Sequence, residues 1–238
     1  MLRVLVTRPE PGASRTARRL QDMGLQPVVM PLTETVALPA GAGLIPGDAV
    51  AVAVTSANAV RHAPKAVIAA LAALPCHAVG SRTTDAARKM GFLSVIEGSG
   101  DAEALADSIA LAFPGKAIVY LCGRVRFPVF EQRLEAAGVR VRVVETYDTL
   151  PVRYSDETIL ALLSGQAVDA ALLYSAKAGA AMQVLAKRPA LQEVFEKTLV
   201  FALSARIAAA FDDSAGKAIR IAAQPDEEAL LALLPVPR

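Results

Sequence analysis

Leu20-Gln21-Asp22-Met23-Gly24 returns 114 residues later as Leu134-Glu135-Ala136-Ala137-Gly138, and a chain that carries two copies of itself is constrained to a duplicated fold. The same offset sets Val4–Val6 against Ile118–Tyr120. Further on the offsets drift by a few residues, as loop insertions require. Val54-Thr55-Ser56-Ala57 matches Leu173-Tyr174-Ser175-Ala176, Val79-Gly80-Ser81-Arg82 matches Leu203-Ser204-Ala205-Arg206, and Asp101–Leu105 matches Asp226–Leu230. So long a period indicates a repeated domain rather than a solenoid, and 238 residues suffice for two bodies of roughly 100–120.

The copies do not divide at their midpoint. Val143-Val144-Glu145-Thr146-Tyr147-Asp148-Thr149-Leu150-Pro151 starts as a β-branched strand and runs out into polar residues and a proline, which stops regular pairing. Its twin, Met30-Pro31-Leu32-Thr33-Glu34-Thr35-Val36-Ala37-Leu38-Pro39, does the same in the first copy. Both read as crossings between bodies. The expected organisation is one discontinuous domain of residues 1–32 plus 152–238 and an inserted domain of residues 35–145. Residues 33–34 and 146–151 are the extended linkers, and Tyr147 is expected at the mouth of a cleft between the bodies.

Short β-branched runs alternate with Ala/Leu/Arg/Glu segments, a pattern that predicts βαβ units and mostly parallel sheets. Ten strands are expected: Arg3–Val6, Pro27–Met30, Ala49–Val54, Cys76–Val79, Leu93–Ile96, Ala117–Leu121, the run from Val139, Asp169–Leu173, Leu199–Ala202 and Ala218–Ala222. Each domain is expected to hold five, two from one copy and three from the other. Pro64 is expected to interrupt the helix opened by Thr55-Ser56-Ala57-Asn58. Gly80-Ser81-Arg82-Thr83 reads as a turn before a helix Thr84–Met90. Asp101 and Ser155 are expected to cap helices, and further helices should begin near Ser175, Ser204 and Asp226.

Composition excludes several classes. A net charge of +2, with basic residues spread among 23 acids, argues against a nucleic-acid binder. No apolar stretch reaches the ~20 residues of a membrane span. Cys76 and Cys122 make no disulfide framework, and Leu2-Arg3-Val4-Leu5-Val6 enters a strand directly, without the pattern of a secretory signal, so a reducing, cytoplasmic setting is expected. A Ser-His-Asp arrangement would have to use His62 or His77, the two histidines, and their expected places on a helix surface and in a strand argue against it; with two cysteines they show no metal-ligand spacing. Gly98-Ser99-Gly100 lacks the spacing of a phosphate or dinucleotide loop, which argues against a flavin or nucleotide protein.

Chemistry in open parallel sheets gathers beyond the carboxyl ends of the strands. Five turns there draw the eye: Thr7-Arg8-Pro9, Thr55-Ser56-Ala57-Asn58, Gly80-Ser81-Arg82-Thr83, Cys122-Gly123-Arg124-Val125-Arg126 and Tyr174-Ser175-Ala176-Lys177. Each joins a small or hydroxyl residue to a helix start, where free N–H groups and the helix dipole favour anions. With Ser204 and Arg206 they describe a site for several carboxylates or phosphates. Ser56, Thr83, Ser175 and Ser204 read equally well as plain N-caps, and Tyr147 as interdomain packing.

In order and spacing the chain resembles the uroporphyrinogen-III synthase family along essentially its whole length. The resemblance rests on Val4-Leu5-Val6-Thr7-Arg8-Pro9, Ala53-Val54-Thr55-Ser56-Ala57-Asn58-Ala59-Val60, Ala78-Val79-Gly80-Ser81-Arg82-Thr83, Gly100-Asp101-Ala102-Glu103-Ala104-Leu105, Leu121-Cys122-Gly123 and Thr146-Tyr147-Asp148-Thr149. It implies two flavodoxin-like α/β domains joined by two extended linkers. It further implies a cofactor-free lyase, expected to be monomeric, that takes the linear tetrapyrrole hydroxymethylbilane to uroporphyrinogen III, losing water and inverting ring D. By motif position Ser56, Thr83, Tyr147 and Ser175 correspond to residues lining the family's site, and Tyr147 to the tyrosine suspected of helping the hydroxyl leave. Arg8, Thr55, Ser81, Arg82, Gly123, Arg124, Lys177, Ser204 and Arg206 complete the expected substrate-binding set. Where a Gly-Pro-Thr-Thr turn is frequent in the family, this chain reads Ser204-Ala205-Arg206-Ile207, which leaves open whether Arg206 replaces hydroxyl contacts there. The competing reading is a two-domain protein that binds a small anion without catalysis.

Overall fold

The structure is a computed structural model and describes residues 1–211 and 219–235. The chain divides into two compact units, Met1–Glu34 with Leu150–Arg238 and Thr35–Thr149. In the first unit, strand β1 (Arg3–Val6) leads through helix α1 (Gly12–Asp22) to β2 (Gln26–Val29), and β3 (Thr33–Ala37) carries the chain into the second unit. That unit contains β4 (Ala49–Val54), α2 (Ala57–Arg61), α3 (Lys65–Leu71), β5 (Cys76–Ala78), α4 (Ser81–Met90), β6 (Val95–Glu97), α5 (Ala102–Ala112), β7 (Ala117–Gly123) and α6 (Val129–Ala136). Strand β8 (Arg140–Pro151) leads back to the first unit. There α7 (Asp156–Leu163), β9 (Ala170–Leu173), α8 (Ala176–Ala186), α9 (Gln192–Phe195), β10 (Leu199–Ala202), α10 (Ala205–Ala210), β11 (Ile219–Ile221) and α11 (Glu227–Leu231) follow.

One sheet has the order β11-β10-β9-β1-β2 and the other β3-β8-β7-β4-β5-β6. Numbered within a copy, β2-β1-β9-β10-β11 and β8-β7-β4-β5-β6 are the same doubly wound order, 2-1-3-4-5, which is flavodoxin-like. Each takes two strands from one copy and three from the other. The duplication holds to the level of register. In the parallel pair β1/β2, Arg3 stands opposite Gln26, and in β7/β8 Ala117 stands opposite Arg140. Both partners are therefore displaced by the same 114 positions found in the sequence. The helix ends agree: Gly24 (φ 74°) and Gly138 (φ 77°) each take the left-handed conformation that ends α1 and α6, where glycine is least strained.

Core packing explains the unbroken apolar strands. In the first unit Leu5, Ala171, Leu173 and Val200 enter one core while Val4, Val6, Leu172 and Phe201 enter another on the opposite face. In the second, Val52, Val54, Val119 and Leu121 face one core, and Ala51, Ala53, Ile118 and Tyr120 the other. A sheet covered on both faces needs no polar alternation. Arg3 fixes α7 against β1: its guanidinium donates to the carbonyls of Leu163 (2.8 Å) and Ala167 (2.9 Å), at the end where a helix presents unpaired oxygens.

Three expectations need correction. Eleven strands are present among the described residues, not ten, because the first crossing is itself a strand, β3, laid beside β8. Helix α4 begins at Ser81, not Thr84, since Gly80 acts as the cap and its carbonyl accepts from Thr83 N–H (3.0 Å) and Thr84 N–H (2.9 Å). Ser81, Arg82 and Thr83 are thus the first helical turn rather than a loop, and Thr83 is no N-cap. The strand expected at Leu93–Ile96 lies at Val95–Glu97. Of the last expected strand, Ile219–Ile221 is seen, and Ala218 lies outside the described residues.

Candidate functional site

In each doubly wound sheet the strand order reverses once, and the turns flanking the reversal open a crevice at the carboxyl ends. In the second unit that point lies between β7 and β4. Immediately after β4, Thr55 Oγ1 and the Tyr120 phenol are 2.7 Å apart. Burial pushes the Tyr120 phenol up to about 12 despite the hydrogen bond to Thr55, so it stays protonated. Ser56 then caps α2, its Oγ accepting from Asn58 N–H at 3.2 Å. The same oxygen accepts from the Tyr147 hydroxyl at 3.2 Å.

Tyr147 is aimed there by an irregularity in β8. Cys122 stands opposite Glu145 but Gly123 opposite Tyr147, so β8 carries one extra residue at this point. Such a bulge bends the strand and redirects the next side chain. The extra residue, Thr146, is fully buried, and its hydroxyl donates to Ala59 O (2.6 Å) and lies 3.4 Å from Cys122 O. Beyond it Arg124 N–H donates to Tyr147 O at 2.9 Å. The ring is half-buried and comes to rest over Gly123, where a Cβ would lie 2.6 Å from Tyr147 Cζ. His62, the last residue of the α2 turn, lies with its ring centroid 6.2 Å away, and burial with the nearby Arg61 charge holds its imidazole below the usual value.

The guanidinium groups beside this group are already engaged. Arg124 pairs with Glu145 (3.3 Å) and Asp148 (3.7 Å), and Arg126 with Glu131 (2.5 Å) and Glu145 (3.0 Å). Those carboxylates raise the Arg126 pKa further above its usual value. Arg82 is exposed with Ser81 on the first turn of α4, while Thr83 is buried. Thus Thr55, Ser56, Gly123, Arg124 and Tyr147 come together at one strand-order reversal, with Ser81, Arg82 and Thr83 at the end of β5 in the same unit.

The corresponding point of the first unit lies between β1 and β9. Arg8 follows β1, and its guanidinium bonds Glu227 of α11 at 2.9 Å and lies 4.4 Å from the centre of the Tyr174 ring. Thr16 also donates to Glu227, and Arg19 approaches it at 3.3 Å. Burial pushes the Glu227 carboxyl up, but the Thr16 hydrogen bond and the Arg8 charge outweigh it and hold the carboxyl below its ordinary value. Ser175 caps α8, accepting from Ala178 N–H at 3.1 Å, and Lys177 is half-buried in the first turn. Ser204 precedes α10 in extended conformation without a side-chain cap bond, and Arg206 is exposed. Sequence reasoning did not find Thr16, Glu227, Thr146 or the Tyr120 hydroxyl. Glu227 meets Arg8 across 219 positions, a pairing no local signal announces.

Among the described residues no group of three or more His, Cys, Asp and Glu could hold a metal ion, and no helix is long and apolar enough to cross a membrane. His77 is buried in β5 with its ring edge-on to Phe113, and both cysteines are free and buried, with burial pushing each thiol up to about 12. What the fold and these turns define is a duplicated pair of doubly wound α/β units that exchange strands between copies and gather hydroxyl groups at the reversal of strand order. The chain belongs to the uroporphyrinogen-III synthase family, whose model, described as Uroporphyrinogen-III synthase HemD, matches residues 14–232. It is accordingly a lyase-type enzyme of tetrapyrrole biosynthesis that needs no cofactor, and the reading as a non-catalytic anion binder finds no support.

Solved structures agree on the fold. The chain is similar to a uroporphyrinogen-III synthetase from Helicobacter pylori, at 16% identity and a TM-score of 0.64 over 98% of each chain. It is also similar to a mutant uroporphyrinogen III synthase from the extremely thermophilic bacterium Thermus thermophilus, at 17% identity and a TM-score of 0.52 over 98% of this chain and 97% of that one. No curated protein matches the chain.

Proposed function

We propose that this chain converts hydroxymethylbilane to uroporphyrinogen III chiefly by holding the flexible tetrapyrrole while Tyr147 assists departure of its hydroxyl. The observation that carries the reading is the Tyr147 phenol, half-buried over Gly123 and donating to Ser56 Oγ at 3.2 Å beside the β7/β4 reversal. A phenol whose acceptor is a serine oxygen can turn its proton to a substrate hydroxyl without leaving a charge unpaired. The C–O bond then breaks, the hydroxyl leaves as water with that proton, and the methylene becomes the electrophilic end of an azafulvenium cation whose charge the phenolate offsets. Attack by the substituted carbon of ring D gives a spiro intermediate. Rearrangement inverts the ring, and the proton released as the pyrrole regains aromaticity restores the phenol.

Positioning supplies most of the acceleration in such a scheme, because the azafulvenium closes without further activation once its ends are aligned. The eight substrate carboxylates find donors in hydroxyl groups and helix N-termini and in the cations Arg8, Arg82, Arg124, Lys177 and Arg206. In this reading Thr55, Ser56, Ser81, Thr83, Gly123, Ser175 and Ser204 line the substrate's path. The enzyme acts as a cytoplasmic monomer, consistent with free cysteines and with sheets covered on both faces by their own helices. Freshly generated hydroxymethylbilane given to the purified protein yields the type III isomer; appearance of only the type I product of spontaneous closure would overturn the reading. Light scattering at working concentration tests the monomer.

A further inference from the structure

We infer that Gly123 is a positioning residue for this reaction: the missing side chain at the end of β7 is the seat of the Tyr147 ring. The inference deepens the reading of Tyr147 given above and rests on it for its catalytic consequence, though not for its geometry.

Gly123 does not take the left-handed backbone conformation that would itself require glycine. An L residue could adopt its backbone, so what excludes a side chain is space. A Cβ built there lies 2.6 Å from Tyr147 Cζ, 2.9 Å from its hydroxyl oxygen and 3.0 Å from Cε1, and no other atom is nearer. Carbon atoms rest at about 3.5–4.0 Å, so an alanine would drive the ring away by on the order of 1 Å. The backbone of Tyr147 cannot follow. Thr146 is pegged to Ala59 O at 2.6 Å on one side, and Tyr147 O accepts from Arg124 N–H at 2.9 Å on the other. Displacement therefore falls on the side-chain torsions and carries the phenol off Ser56, since a bond of 3.2 Å lengthened by that amount is no longer a hydrogen bond. Ser56 is itself held by Asn58 N–H at 3.2 Å and does not chase the phenol. The glycine, the bulge and the serine cap thus determine one phenol position, and only the glycine does so by being small.

The test uses the full chain with tyrosine labelled at Cζ with carbon-13, whose four signals are assigned by single Phe variants. In Gly123→Ala the Tyr147 signal moves while those of Tyr154 and Tyr174, in the other unit, stay. With hydroxymethylbilane kcat falls about ten- to a hundredfold while KM changes by less than about twofold, as misplacement of a positioned group requires. In a Tyr147→Phe background the same alanine costs several-fold less activity than in the parent, because no hydroxyl remains to misplace. An unmoved Tyr147 signal overturns the inference, and so does an equal loss from the alanine in both backgrounds. If Tyr147→Phe is itself fully active yet the signal moves in Gly123→Ala, the seat stands and the catalytic reading of the phenol falls. Should Gly123→Ala not fold, the double variant with Tyr147→Ala folds if the ring is what the new methyl meets; continued failure to fold counts against the seat.

Discussion

At the Tyr147 hydroxyl one donor meets an acceptor that already holds a second bond, so removing the donor leaves Ser56 Oγ satisfied by Asn58 N–H. Tyr147→Phe therefore tests chemistry with little confounding by stability. It is expected to lower kcat by roughly one to two orders of magnitude, within the usual reach of a general acid, with an unfolding midpoint close to the parent's. Unchanged turnover would assign the ring to packing. Glu227 offers the opposite case, a carboxylate whose work is structural. Its folded pKa is depressed, because the Thr16 bond and the Arg8 charge outweigh burial. The stability it contributes is fully present above its unfolded value near 4.5 and is lost as pH falls through the lower folded value. Parent and Glu227→Gln should differ in urea midpoint by a constant amount above about pH 5, and the difference should shrink below about 4.5. A gap that widens with acid would show the sign to be wrong.

Among elements, the β8 bulge separates what could be read beforehand from what could not. Thr146 is buried with its hydroxyl bonded to Ala59 O at 2.6 Å, so Thr146→Val keeps the shape and orphans a carbonyl. It should cost about 1–3 kcal/mol in urea unfolding and also lower kcat, because the bulge aims Tyr147. Loss of stability with kcat intact would detach the bulge from catalysis. Helix starts at Ser56, Asp101, Ser155 and Ser175 were legible because a cap is a local event: each side-chain oxygen accepts an N–H two or three residues on. The central strands β1, β4, β7, β9 and β10 were legible because covering both sheet faces makes each an apolar run, whereas the exposed edge strand β6 was misplaced. The bulge was not legible, since it exists only relative to β7. Nor was α4's start, where Gly80 caps with its carbonyl and no side chain marks the place. Thr55, Ser56 and Gly123 stood out as types in turns, and Tyr147 as a residue of the second crossing. Their assembly, and the capture of Arg8 and Arg124 by carboxylates far along the chain, depends on the sheet order.

For the whole molecule the exchange of strands between copies makes the two units unequal in how they can be cut. All four cores respect the division: the two of the second unit draw only on residues between Ala40 and Tyr147, and those of the first on residues on either side. The second unit is also continuous, with β4 to β8 in complete 2-1-3-4-5 order. Thr35–Thr149 expressed alone is therefore expected to unfold in one cooperative transition. The first unit places β1 in the middle of its sheet, against β9 on one side and β2 on the other. Residues 150–238 alone leave β9 with a bare edge, its register partners Val4, Leu5 and Val6 missing, and part of each core unfilled. That piece should remain unfolded by circular dichroism and recover cooperative structure only on addition of residues 1–34, saturating at one equivalent. If it folds unaided, or if the 1–34 peptide leaves it unchanged, the central place of β1 in that sheet is wrong, and with it the argument that one copy completes the other.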